Sequence, residues 1–162
     1  MAETVTPTGP RGKAKVNLRD MIAASSTFQT ATGVETAAAA KAFLHLTDYT
    51  GGATFTRPFG LIVNTGNDST DRESLNSSVT SGDFEIRLEQ DIDDDYKDTP
   101  DDAELTFENF YEGVIKDLLD LAGVAGWLII NDIKKIEGPT QFETNGGTYF
   151  YGVRLLVSWG LQ

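Results

Sequence analysis

Apolar residues along the chain fall into three stretches of helical period and four of strand character, with polar segments between them. Leu18, Met21, Ile22 and Phe28 follow near-helical spacing behind Asn17, a residue able to cap a first turn, and Gly33 breaks the run. A second helix is expected across Glu35 to Leu46, favoured by Ala37 to Ala40. Phe59 to Asn64 is a short apolar run between Pro58 and Gly66, which reads as a strand. Further on, Phe84, Ile86 and Leu88 alternate with Asp83, Glu85, Arg87 and Glu89, the pattern of a half-buried strand.

The strongest helical signal lies in the C-terminal half. Thr99, Pro100, Asp101 and Asp102 read as a helix start, with a cap, a proline in the first turn and carboxylates near the positive end of the dipole. Phe107, Phe110, Tyr111, Val114, Leu118 and Leu121 then form one stripe ending at Gly123. Trp127 to Ile136 is a strand of imperfect alternation, where a bulge is expected. In the last strand Tyr149, Tyr151, Val153, Leu155, Val157 and Trp159 share one side, while Phe150, Gly152, Arg154, Leu156 and Ser158 share the other. Gly146 and Gly147 lie between these two strands, so an antiparallel hairpin is expected. The element order predicts a single α+β domain: a mainly antiparallel sheet of about four strands, with helices packed on one face.

Two segments fit no regular element. Met1 to Val16 has scarcely a large apolar side chain, so it reads as a flexible arm ahead of a domain spanning residues 17–162. Thr65 to Gly82 is polar apart from Leu75 and Val79. A structureless loop of that length is unusual in a compact domain, and the segment should be either an extended functional loop or a projecting hairpin.

Composition narrows the function. The 162 residues carry 13 basic and 25 acidic side chains, a net charge of −12, which disfavours duplex DNA binding through a basic patch. The chain has no cysteine, removing disulfides, thiolate nucleophiles and cysteine-ligated zinc together. No segment approaches the ~18 apolar residues of a membrane helix, so the expected address is the cytoplasm of the cell that makes it, with no membrane partner.

Candidate chemistry is sparse. His45 is the only histidine and stands at an apolar helix end, without the Gly-x-Ser-x-Gly pattern that a serine nucleophile would bring. Asp91, Asp93 and Asp95 have the spacing of the first ligands of a calcium loop. However, Tyr96 stands where that loop requires glycine, and Asp102 replaces the closing glutamate. The glycine pairs Gly51-Gly52 and Gly146-Gly147 lack the lysine and the strand-to-helix context of a phosphate loop. The expectation is a protein without catalysis, resident cofactor or metal.

The ordered pattern resembles the tail terminator, or tail completion, proteins of long-tailed bacteriophages. The resemblance is carried by the N-terminal helix with Phe28, Arg57-Pro58-Phe59, Phe84-Glu85-Ile86-Arg87, Phe107-Glu108-Asn109-Phe110, Trp127-Leu128-Ile129-Ile130 and the ending from Gly152 to Gly160. It covers most of the chain from about Asn17. It implies a structural virion protein, assembled in the host cytoplasm, that forms a ring, commonly a hexamer, at the end of the tail tube. Such a ring stops tube polymerisation and joins the tail to the head connector, so its partners would be itself, the tube protein and the connector protein. On this reading DNA passes through the lumen without sequence-specific binding. Asp91, Asp93, Asp94 and Asp95 are candidates to face that lumen, and Arg11, Lys13 and Lys15 form a candidate interface on the arm. A different class, an acidic DNA mimic or other protein-binding inhibitor, explains the charge equally well. It would act as a monomer.

Overall fold

A computed structural model describes residues 5–47, 55–70, 79–92, 98–124 and 126–160. The chain begins with helix α1 (Pro10–Ala24) and a short helix α2 (Ser26–Thr32). A single helical turn, α3 (Ala37–Ala40), then runs through a 3₁₀ turn (Lys41–Phe43) into strand β1 (Leu44–His45). Strands β2 (Phe59–Thr70) and β3 (Val79–Asp91) follow, then the long helix α4 (Pro100–Leu121) and strands β4 (Ile129–Glu143) and β5 (Tyr149–Gly160). The fold is α+β with one five-stranded sheet in the order β1-β2-β3-β5-β4.

Three expectations need correction. The sheet has a fifth strand: Leu44 and His45, expected at a helix end, pair in parallel with Gly60 and Leu61, so the alanine-favoured helix stops after one turn. The arm is shorter than expected, because α1 starts at Pro10, whose missing N–H suits a first helical turn, and Ala14 is already buried. Asn17 therefore lies inside α1 and caps no helix. Its side-chain oxygen instead accepts from Leu128 N–H at 2.6 Å, fixing the approach to β4.

Ser25 separates α1 from α2. Its extended backbone ends the first helix, and its hydroxyl accepts from Phe28 N–H at 3.1 Å to cap the second. Gly33, at φ 72°, ends α2 in the left-handed conformation. The β4–β5 hairpin forms as expected, with Gly147 at φ 78° in the turn, but β4 starts at Ile129 and runs on to Glu143 instead of ending at Ile136.

Of the polar segment from Thr65 to Gly82, the two ends belong to β2 and β3, and residues 71–78, where a loop or hairpin tip is expected, lie outside the described residues. β2 and β3 stay paired out to Thr70 and Val79, with register shifts on the way, whereas β5 ends opposite Ser81. Among the described residues one pair, Thr70 with Val79, lies past the last partner on β5.

The core lies between the helices and one sheet face. Leu18, Met21 and Ile22 of α1 and Phe107, Phe110, Tyr111, Val114 and Leu118 of α4 meet Ile86, Leu88, Val153, Leu155, Val157 and Trp159. Phe84 stacks on Trp159 with centroids 5.4 Å apart, and Phe107 stacks on Tyr151 at 5.5 Å. Each large side chain fully buried here contributes on the order of 2–3 kcal/mol. Among the described residues no helix is long and apolar enough to cross a membrane.

Candidate interaction surface

A strand's period of two sends alternate residues away from the helices. Register therefore gathers a second set of side chains on the open face: Leu61 opposite Arg87, Arg87 opposite Arg154, Glu85 opposite Leu156, Glu89 opposite Gly152 and Phe142 opposite Phe150. This face holds the densest polar network described in the molecule.

Glu85 is its centre and is only 8% exposed. Arg154 grips it bidentately, with Nε to Oε1 at 2.7 Å and a terminal nitrogen to Oε2 at 2.9 Å, while Arg87 Nε donates to Oε1 at 2.6 Å. Arg154 also reaches Glu137 on β4 at 2.6 Å, so one guanidinium ties three strands together. The hydrogen bond from Arg154 leads the effects holding the Glu85 carboxyl at about 2; burial opposes it, and Arg87 adds to the lowering.

Beside it, Arg57 bonds Glu89 at 3.1 Å and reaches Asp91 at 3.5 Å. The same guanidinium lies 3.5 Å from the Phe150 ring centroid, and Phe150 stacks on Phe142 at 5.1 Å. Burial pushes the Glu89 carboxyl above its ordinary value, with Arg57 pulling the other way. A hollow of about 310 Å³ opens in this face, lined by Arg87, Glu89, Glu137, Thr140, Phe142, Gly152, Val153 and Arg154. The Phe142 ring packs over Gly152, where a Cβ would come within 3.1 Å of it.

The residues singled out by sequence are dispersed. Asp91 is exposed at the end of β3, and its only described ion pair is with Arg57; Asp93, Asp94 and Asp95 lie outside the described residues. Arg11, Lys13 and Lys15 sit on the first turns of α1, not on an arm. Arg11 is half-buried with its guanidinium 5.9 Å from the Phe84 centroid, Lys15 donates to the Leu46 carbonyl, and of the three Lys13 alone is exposed.

His45 stacks on Phe55 at 3.8 Å and meets Phe59 edge-on at 6.0 Å, and burial lowers its pKa. It is a packing residue. Tyr151 and Trp159 are core, whereas Tyr149 on the same side is 45% exposed beyond the helices. Among the described residues no group of three or more acidic or histidine side chains is placed to hold a metal ion.

Sequence alternation marks Glu85, Arg87 and Glu89 as an outward row, but the partner Arg154 is 69 residues from Glu85, and only strand register joins them. Compared with family models and with curated proteins, the chain matches none.

Proposed function

We propose that this chain is a structural subunit of a phage tail, forming a ring, six-fold in the simplest case, that ends the tail tube and joins it to the head connector. One observation carries the reading: a single subunit presents two unlike surfaces, the helical layer that covers one side of the sheet and the networked open face on the other. A closed ring repeats a heterologous contact, so each subunit must offer two different complementary surfaces. The α+β architecture is the one that the resemblance implies.

In this setting the protein works by geometry in the virion and needs no cofactor. Asp91, with Asp93 to Asp95, would line the lumen and repel DNA phosphates as the genome passes. The decisive experiment is deletion of the gene from its phage. Tails made without the protein should overrun their normal length and fail to join heads, as seen by electron microscopy; tails of normal length carrying heads would overturn the reading. Light scattering on the purified protein separates the inhibitor alternative, which stays a monomer even with tube ends present.

A further inference from the structure

We infer that copies of this chain pack front to back, with the outer ridge of α4 in one copy seated on the open sheet face of the next. The inference rests on the ring reading for the existence of self-contacts, and it names the surfaces that make them.

The ridge follows from helical spacing. Asp101, Leu105, Glu108, Glu112 and Leu119 recur at multiples of three and four, which places them in one stripe beside the buried stripe of Phe107, Tyr111, Val114 and Leu118, while Ile115 in the same register packs against the core. Leu105 and Leu119 are 54% and 48% exposed, so they stand open on this side of the helix. The stripe holds three carboxylates, no cation, and an apolar residue toward each end.

The open face offers the complement at one point: Glu89 and Glu137 in the hollow are already paired with Arg57 and Arg154, and Arg87 keeps donors to spare. Arg87 spends only Nε on Glu85, and neither of its terminal nitrogens has a hydrogen bond or ion pair among the described residues, leaving four N–H donors at the hollow. A planar guanidinium edge of this kind matches a carboxylate bidentately. Phe142, 41% exposed, walls the hollow and offers a ring to a leucine, with one edge of that ring packed over the buried Gly152. A chain with nearly twice as many acids as bases has carboxylates to spare for this guanidinium, and the α4 stripe carries Asp101, Glu108 and Glu112. Ridge and face are different surfaces, so the contact passes from copy to copy and closes into a ring if the rotation allows.

The absence of cysteine makes the test clean. The full-length chain with Glu112→Cys and Thr140→Cys is oxidised at its highest soluble concentration and run on a denaturing gel. A ladder extending past the dimer, absent from either single variant, is expected; no ladder would overturn the inference. In parallel, Arg87→Glu or Glu112→Arg should weaken self-association about tenfold or more by sedimentation velocity, and combining the two should restore much of it. Circular dichroism confirms that each variant is folded. Unchanged association in folded Arg87→Glu, or an effect confined to binding some other protein, counts against this contact. A ladder-forming protein whose phage still makes normal tails without it would remove the tail reading and leave the contact standing.

Discussion

Ser25 and Asp117 are 92 residues apart in sequence and 2.7 Å apart in space, the serine hydroxyl donating to Asp117 Oδ2. The same carboxylate oxygen accepts from Thr27 N–H at 3.1 Å, so one side chain on α4 holds the junction of α1 and α2. Since Ser25 also caps α2, helix start and helix packing depend on the same few atoms.

Asp117→Ala should therefore destabilise the protein by about 1–3 kcal/mol in urea unfolding, because the Ser25 hydroxyl and Thr27 N–H both lose their acceptor. Burial pushes this carboxyl up, but the bonds from Ser25 and Thr27 outweigh it and hold the pKa below its ordinary value. A folded-state pKa below the unfolded one gives stability that is present above the unfolded value and lost as pH falls through the folded one. Wild-type protein should thus lose this contribution below about pH 4, and the alanine variant should have none to lose.

Glu85 obeys the same sign over a wider window. Its carboxyl falls from 4.5 to about 2, first through the hydrogen bond from Arg154, so its stabilisation drains away between those values on acidification. Glu85→Gln should flatten the acid limb of a stability-versus-pH curve there and lower stability at neutral pH, since Arg154 and Arg87 lose a buried anion. An acid limb superimposable on that of wild type would contradict the network described for the open face.

Gly113→Ala reverses the usual helix preference. Alanine in a helix is ordinarily better than glycine by about 1 kcal/mol, but a Cβ at position 113 would stand 2.6 Å from Thr27 Cγ2 and 2.8 Å from its hydroxyl oxygen, where α2 crosses α4. The variant should lose stability on thermal melting. Thr27→Ala in the same chain should recover most of the loss, and a stabilised single variant would show that the helices do not approach so closely.

His45 gives a spectroscopic check. As the only histidine, it supplies one imidazole resonance to follow, and burial should place its titration midpoint below 6.5. A midpoint at or above that value would mean that the stack on Phe55 is open in solution.

Much of the fold was legible because its long elements carry strong periods. The α4 stripe and the β5 alternation fell where expected: Phe107, Phe110, Tyr111, Val114 and Leu118 are buried, as are Tyr151, Val153, Leu155, Val157 and Trp159. What sequence misplaced was short and locally ambiguous. Leu44 and His45 follow good helix formers, yet pairing with Gly60 and Leu61 outweighs that weak preference. Pro10 was the available signal for an earlier start to α1, but the turn behind it buries only Ala14 and has no apolar stripe to announce it. The open-face network was illegible for another reason: Arg154, Glu85 and Glu137 are brought together by register across three strands, which no local pattern encodes.

β4 forms the outer edge of the sheet for fifteen residues, and its register against β5 shifts three times, at Ile130/Asp132, Lys135/Glu137 and Glu137/Thr140. An unbroken border of that length would be a template for endless strand addition, the route by which crowded proteins turn into fibrils. The interruptions, with Lys134 and Lys135 exposed between them, deny an incoming strand any long run of matched amides and carbonyls. A protein made at high local concentration can thus keep its associations finite.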